Sequence, residues 1–200
     1  MEMLNDANLM LELPPLVLAS GSPRRAEILS SVGWTFTKSI PDIDESERSG
    51  ESPEDYVQRL ATEKAAAVAH LHPGLLILAA DTTVVIDNTI LGKPVDLDDA
   101  KRMLRMLSGR WHDVLTGVAI CRHGSSKIAM ERTGVKFIEM SEDEIAFLAE
   151  KGDPLDKAGA YAVQAQAALF IEEIRGDYWN VVGLPISLVY RALRSLLDCS

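Results

Sequence analysis

The segment SGSPRR, residues 20–25, places small and turn-forming residues next to two adjacent arginines. It follows a short apolar run at 16–19 and opens a helix predicted over 23–32, with Ser22 as the N-cap. The free N–H groups and the dipole at the start of a helix favour an anion, and guanidinium groups are forked donors that fit phosphate oxygens. These residue types predict a phosphate site, although an ordinary capped helix with two surface arginines has the same pattern.

Asp81 is a second candidate, because it stands directly after LLILAA in the most apolar stretch of the chain. A buried carboxylate is costly unless it is paired, hydrogen-bonded or bound to a metal. At the end of a strand that opens into a cleft, such a group is suited to act as a base or as a metal ligand. We favour this role over the alternative, a strand-end or bulge carboxylate that only accepts backbone hydrogen bonds.

Three more charged residues are candidates for the same cleft, although each is also a common kind of surface residue. Lys64 lies on the apolar stripe of a helix predicted over 53–71, so its amino group either reaches a cleft or only snorkels to solvent. Lys93 is held in a turn by its Gly and Pro neighbours in ILGKP. Glu45 belongs to the acidic segment DIDE and could help to hold a cation. The residues alone favour the surface interpretation for both lysines.

Composition narrows the class of protein. The 200 residues suit one domain, which we expect over 15–200 after a loosely ordered extension at 1–14. The formal net charge of −10 argues against nucleic-acid and anionic-membrane partners, and no apolar run approaches the roughly 18 residues of a membrane span. The N-terminus lacks a signal-peptide pattern. The two cysteines, Cys121 and Cys199, have no metal-ligand or disulfide pattern, so we expect a reduced, cytoplasmic setting.

The elements that must position the candidate residues alternate between strands and helices. We expect strands over 16–19, 34–40, 75–86 (interrupted at 81–83), 114–122, 127–140, 160–164 and 169–174. We expect helices over 23–32, 53–71, from 96 or 98 to about 108, after a capping box at 141–144, and from 185 onward. The strands on either side of 123–125 form a predicted hairpin, so an α/β fold with a mixed sheet is favoured over a purely parallel one.

Several common enzyme signatures are missing from the sequence. There is no Walker A segment, no dinucleotide fingerprint and no G-x-S-x-G elbow, and the four histidines have no metal-ligand spacing.

Seven segments, taken in order, resemble the Maf family of nucleoside triphosphate pyrophosphatases. They are LVLASGSPRRAEIL at 16–29, DIDE at 42–45, ATEKA at 61–65, AADTTVVIDNTILGKP at 79–94, MLSGRWHDVLTGV at 106–118, DKAGAYAVQ at 156–164 and GDYWNVVGLP at 176–185. A lone S-x-S-P-R-R would be weak evidence, but seven ordered blocks covering nearly all of 16–197 are specific.

The resemblance implies an elongated α/β fold similar to that of inosine triphosphatases (Maf/Ham1), with helices flanking a twisted mixed sheet and a cleft between two lobes. It implies cleavage of a nucleoside triphosphate to the monophosphate and pyrophosphate with a divalent cation, Mg²⁺ or Mn²⁺, and it is compatible with a homodimer. By the same resemblance, Asp81 accepts the proton of the attacking water. The other implied roles are phosphate binding by Ser20, Arg24 and Arg25, catalysis by Glu45, Lys64 and Lys93 together with Asp81, and metal binding by Glu45 and Asp81.

The family divides by substrate, and three residues resemble the branch that prefers dTTP and UTP: Arg24, Thr82 and Gln164. The amide of Gln164 has a donor and an acceptor that match the edge of uracil or thymine, and Thr82 could add a hydroxyl contact. The run Ala165–Ala168 (AQAA) departs from the family, which usually has glycine after this glutamine. The alternatives are a 7-methyl-GTP or modified-nucleotide pyrophosphatase, and a regulator of cell division that binds nucleotides without hydrolysing them.

Overall fold

The structure is a computed structural model that describes residues 13–198. Apart from its last two residues, the predicted extension at 1–14 lies outside this range, as does Cys199. The strands are β1 (Leu16–Ala19), β2 (Phe36–Lys38), β3 (Leu76–Ile86), β4 (Thr89–Leu91), β5 (Trp111–Arg122), β6 (Ser125–Phe137) and β7 (Ile171–Arg175). The α-helices are α1 (Pro23–Ser31), α2 (Pro53–Leu71), α3 (Leu97–Leu107), α4 (Glu142–Lys151), α5 (Tyr178–Val182) and α6 (Ile186–Leu197).

The strands form one mixed sheet in the order β2-β1-β3-β5-β6-β7, with β4 paired to β3. β1 is parallel to both β2 and β3, and each of these connections passes through a helix, as parallel pairing requires. The pairs β3–β5, β5–β6 and β6–β7 are antiparallel. The prediction of a mixed sheet flanked by helices, with a hairpin around 123–125, is confirmed.

Both faces of the central strands are buried, which explains the continuous apolar runs in β1 and β3. On one face, Val17 and Ile77 pack against α2. On the other, Leu18 and Leu78 join the larger core, to which α1, α3, α4 and α6 contribute. Because side chains alternate along a strand, neighbouring residues of β3 serve different faces of the sheet.

Local capping explains several helix boundaries. The side chain of Ser52 accepts a hydrogen bond from the N–H of Asp55 at the start of α2, and Asp96 does the same for Asp99 at the start of α3. At α4 the predicted capping box is present between Ser141 and Glu144. Within residues 13–198, no helix is long and apolar enough to cross a membrane.

Three details differ from the sequence prediction. The strand predicted over 160–164 is wrong: the chain there leaves a 3₁₀ turn, and Ala160 has a φ of 65°, which is incompatible with an extended strand. β3 is not interrupted at 81–83, because Asp81 and Thr82 pair regularly with Gly117 and Thr116 of β5. The short helix α5 was not predicted.

Candidate active site

A single cleft of about 550 Å³ is lined by every residue proposed from the sequence to carry chemistry. The lining residues come from the SGSPRR turn, from α2 and β3, and from residues 156–164, among others. The residues brought together are Ser20, Arg24, Arg25, Glu45, Lys64, Asp81, Thr82, Lys93 and Gln164. They come from six separate parts of the chain, so the cleft exists only in the folded protein.

At the base of the cleft, the amino group of Lys64 bridges two carboxylates. It lies 2.7 Å from Oδ1 of Asp81 and 2.7 Å from Oε1 of Glu45. The side chains of Lys64 and Asp81 are about one tenth exposed, whereas that of Glu45 is half exposed. A buried charge is stable only when it is paired, so the surface interpretation of Lys64 is wrong. The bridge orients both carboxylates toward one point.

Asp81 reaches this position from the middle of β3 and not from a strand end, as the sequence had suggested. Its backbone pairs with Gly117, and its side chain faces α2. Pairing between β3 and β5 therefore fixes the Asp81 backbone, and the ion pair with Lys64 fixes its carboxylate.

The electrostatics of Glu45 reflect its position among cations. Partial burial by itself would raise the pKa of this carboxyl, but the hydrogen bond and charge of Lys64, together with Lys93 and Arg25, hold the pKa below its ordinary value. The Lys93 side chain, in the turn after β4, is exposed and lines the same cleft. Glu45 is thus ionised and able to hold a cation or to orient Lys64.

The SGSPRR turn is organised by Arg25. Its guanidinium donates to the carbonyl of Gly183 (2.9 Å), to Oγ of Ser20 (3.1 Å) and to Oγ1 of Thr82 (3.1 Å). The pKa of Arg25 lies below its ordinary value, mainly because burial removes water from the guanidinium. The positive charge of Arg24 acts in the same direction, whereas the carboxylates of Asp81 and Glu45 oppose the shift. An arginine remains protonated under such shifts. Arg25 therefore joins the SGSPRR turn to β3 and to the segment after α5.

The start of α1 differs in one respect from the predicted cap. The side chain of Ser22 makes no capping hydrogen bond; its own N–H donates to Oγ of Ser20 at 3.1 Å. Ser20 is buried and receives this bond together with that from Arg25. It fixes the turn that presents the N-terminus of α1 to the cleft.

Arg24 links the SGSPRR turn to the segment of Asp156, and both residues line the cleft. It forms an ion pair with Asp156, 3.2 Å from Oδ2. Burial raises the pKa of Asp156, but Lys157 and Arg24 more than offset this and hold it below the ordinary value. Asp156 and Lys157 both line the cleft, and the sequence analysis did not single them out as site residues. The sequence signal that could have identified them is the segment DKAGAYAVQ, which resembles the family and begins with these two residues.

Thr82 faces away from Asp81 and its hydroxyl is fully engaged. Besides receiving the Arg25 bond, Oγ1 lies 2.9 Å from Oγ1 of Thr116 and 3.3 Å from the carbonyl of Gly183. A hydroxyl has one proton and two lone pairs, so these three partners use its capacity. Thr82 therefore helps to hold the Arg25 guanidinium in place by accepting its hydrogen bond.

The segment that carries Gln164 rests on a buried aromatic group that the sequence analysis missed. Tyr161 lines the cleft, and its hydroxyl lies 2.8 Å from Nε2 of His112. Phe137 contacts both rings edge-on, with centroids 5.3 and 4.9 Å away. Burial lowers the pKa of His112 to about 4, although the Arg110 carbonyl opposes this. Because His112 and Tyr161 are 49 residues apart, no local pattern links them.

The donor set suits a hard cation that also binds substrate. Mg²⁺ is commonly held by one or two carboxylates together with substrate phosphates and water, and Glu45 and Asp81 supply two converging carboxylates. Among residues 13–198, no group of three or more His, Cys, Asp or Glu is arranged to hold a metal by itself. The residues therefore fit a cation that is shared with a phosphate, and they do not fit a closed protein site.

The chain is similar to known proteins over most of its length. The chain is 50% identical over 171 residues to the dTTP/UTP pyrophosphatase of Symbiobacterium thermophilum, covering 86% of this chain and 88% of that protein. It is 51% identical over 174 residues to the dTTP/UTP pyrophosphatase of Hahella chejuensis, covering 86% and 87%. Among solved structures, the Ham1 protein of Staphylococcus aureus is similar in fold, with a TM-score of 0.52 at 15% identity over 90% of this chain and 98% of that chain.

A family model described as Maf-like protein matches residues 15–196. The predicted resemblance is thereby confirmed over nearly the whole described chain, and the Ham1-like fold agrees with it. On the strength of this match and of relatives at about half identity, the chain belongs to the family of Maf-like proteins.

Proposed function

We propose that the cleft hydrolyses dTTP and UTP to the nucleoside monophosphate and pyrophosphate. The observation that carries this proposal is the Asp81–Lys64–Glu45 bridge, which lies in the same cleft as the arginine-lined turn at the N-terminus of α1. Relatives that are 45% to 51% identical have the name dTTP/UTP pyrophosphatase. A carboxylate beside a cation-rich anion site supplies what phosphoryl chemistry needs, namely positioning and charge stabilisation.

In the proposed reaction, the α1 N-terminus and Arg25 bind phosphate oxygens, while Lys64 and Lys93 offset the triphosphate charge. Asp81 accepts a proton from water, whose oxygen bonds to phosphorus as the anhydride bond between the α- and β-phosphates breaks. The electron pair of that bond leaves with pyrophosphate. Lys64 orients the Asp81 carboxylate and holds Glu45 beside it.

Glu45 and Asp81 would hold the divalent cation, Mg²⁺ or Mn²⁺, together with the phosphates. When bound, the cation supplies additional positive charge that stabilises the transition state and the leaving pyrophosphate. The two carboxylates have oxygen ligands of the kind that both ions accept.

Gln164 is the residue proposed to select the base. Its exposed side chain lines the same cleft as the SGSPRR turn, and we assign it to the base end of the nucleotide. Its amide has one donor and one acceptor for the N–H and carbonyl groups of uracil or thymine. Arg24 contributes indirectly, because its ion pair with Asp156 ties the SGSPRR turn to the segment that carries Gln164.

The test is pyrophosphate release from dTTP, UTP, 7-methyl-GTP, GTP and ATP, measured with Mg²⁺, with Mn²⁺ and with EDTA. We expect release from dTTP and UTP, none with EDTA, and recovery when the cation is restored. Preferential release from 7-methyl-GTP would contradict the proposed base preference. Tight nucleotide binding with no release from any substrate would favour a non-catalytic regulator of cell division.

Three broader expectations have their own tests. Sedimentation analysis tests the homodimer, cell fractionation tests the cytoplasmic location, and limited proteolysis tests a single domain over 15–200.

A further inference from the structure

Glu45 lies in a segment without regular secondary structure. Residues 39–52 contain neither helix nor strand, and the Glu45 side chain is half exposed. Nevertheless its carboxylate lies 2.7 Å from Lys64. Lys64 is buried, but the Glu45 end of the pair is half exposed to solvent. Exposure weakens an ion pair, so other contacts are needed to fix the backbone of this segment.

Those contacts come from one face of α2, at Tyr56 and Arg59. The Tyr56 hydroxyl donates to the carbonyl of Glu45 at 3.0 Å. Arg59 donates to both carboxylate oxygens of Glu51, at 2.6 and 2.7 Å, and to the carbonyl of Ser46 at 3.0 Å. The guanidinium also stacks over the Tyr56 ring, 5.6 Å from its centroid. Arg48 also pairs with Glu63 of α2 at 2.9 Å, so the segment is tied to α2 at residues 45, 46, 48 and 51.

The Arg59 contacts are of a strong kind. The Arg59–Glu51 pair is bidentate, and the side chains are only 12% and 10% exposed. Bidentate, charge-assisted bonds shielded from water are stronger and more directional than surface ion pairs. Glu63, one turn further along α2, accepts another bond from Arg59 at 3.2 Å and holds the guanidinium from the helix side. The contact with Glu63 thus holds the Arg59 side chain against α2, in the position from which it binds the segment.

The Tyr56 hydroxyl is a dependable donor. A phenol is protonated in the neutral pH range, so the Tyr56 hydroxyl can donate its proton to the Glu45 carbonyl.

We propose that Arg59, assisted by Tyr56, is a positioning residue that fixes residues 45–51 and thereby holds the Glu45 carboxylate at the Lys64–Asp81 pair. The proposal rests on the hydrolytic function proposed above. Arg59 is not part of the cleft lining, so it acts only through the segment. Residues that orient a catalytic or metal-binding group from behind typically change activity or metal affinity by about 10- to 100-fold.

The test is a double-mutant cycle between Arg59→Gln and Glu45→Gln. Arg59→Gln should lower kcat about 10-fold and raise the Mg²⁺ or Mn²⁺ concentration needed for half-maximal activity. In the Glu45→Gln background the same change should have almost no further effect, because the group that it positions is already gone. An equal loss in both backgrounds would overturn the proposal, since a general structural defect does not depend on Glu45.

A control variant removes a bidentate arginine contact elsewhere that is more exposed to solvent. Arg105 of α3 binds Glu142 through both carboxylate oxygens, at 2.7 to 3.0 Å, outside the cleft. Arg105→Gln should leave kcat and the metal requirement unchanged. Tyr56 lines the cleft; Tyr56→Phe keeps its ring, removes the hydroxyl bond to the Glu45 carbonyl, and should give a smaller loss of kcat that also disappears in Glu45→Gln. If Arg59→Gln does not fold, Tyr56→Phe and Arg59→Lys complete the cycle.

A second measurement does not depend on turnover. Amide hydrogen exchange in residues 44–51 should be faster in Arg59→Gln than in the parent chain or in Arg105→Gln, with the rest of α2 unchanged. If the parent chain releases no pyrophosphate, the proposed function fails while this measurement still decides the role of Arg59. Unchanged exchange in residues 44–51 would overturn the positioning role even if the chain is an active pyrophosphatase.

Discussion

Asp81 of β3 pairs directly with Gly117 of β5, and α2 crosses the sheet over this pair. A Cβ atom at position 117 would overlap the backbone carbonyl of Val57 and lie 2.9 Å from the amide nitrogen of Gln58. The missing side chain lets α2 lie close to the sheet. Lys64, two helical turns after Val57, consequently reaches Asp81 at 2.7 Å.

Gly117→Ala should therefore damage both stability and the site. We expect the free energy of unfolding to fall by roughly 1–3 kcal/mol, the usual range for overpacking. Turnover should fall with it, since α2 must move away from β3 and take Lys64 along. Denaturant unfolding and pyrophosphate release measure the two effects. Gly92→Ala is the stability control, because its added methyl group would meet nothing within 4 Å; equal stability of the two variants would contradict this explanation.

Asp81→Asn should abolish most of the chemistry while sparing the fold. The amide keeps the size of the side chain but cannot accept the proton of water, so turnover of dTTP should fall by about 100-fold or more. Nucleotide binding should persist, because the SGSPRR turn and Arg25 are unchanged. Rapid-quench kinetics and calorimetric binding distinguish the two steps. Full turnover in a folded Asp81→Asn variant would remove Asp81 from the role of base.

Thr82→Val and Gln164→Ala should have different signatures. Valine keeps the shape of Thr82 but removes the hydroxyl that accepts from Arg25, so KM should rise about equally for every triphosphate, by up to about 10-fold for one lost charged hydrogen bond.

Gln164→Ala should instead change the ratio of kcat/KM between UTP and GTP. A substrate panel on both variants provides the check. A shifted base ratio in Thr82→Val would mean that its hydroxyl contacts the base directly.

His112 should make the folded state sensitive to mild acid. Its pKa is about 4 in the folded protein and about 6.5 in an unfolded chain. Between these values the unfolded chain binds the proton and the folded protein does not, so stability is present above pH 6.5 and falls as the pH falls toward 4. The contribution lost is roughly 3 kcal/mol.

The measurement for His112 is the free energy of unfolding at pH 7 and at pH 4, compared with that of His112→Gln. The glutamine does not titrate, so the variant should lose less stability than the parent chain over this interval. Parallel pH dependence in the two proteins would show that His112 titrates alike in both states.

Much of the local structure could be predicted from the sequence because it depends on neighbouring residues. The apolar run of β1, the Pro at the start of α1 and the capping box at Ser141–Glu144 define elements within a few residues of themselves. The segment 160–164 shows the limit of this approach. Its apolar residues are typical of a strand, but the left-handed backbone of Ala160 turns the chain toward the cleft.

The residue types and their order thus predicted a phosphate site at the SGSPRR turn, indicated the candidate carboxylates and lysines, and established the resemblance to the Maf family. Only the tertiary structure decided that Lys64 is buried between Asp81 and Glu45, that Thr82 supports Arg25, and that Arg59 holds the segment of Glu45. These relationships join residues that are far apart in the chain. They depend on the strand order and on how closely α2 packs against the sheet. A local sequence pattern contains no information about either feature.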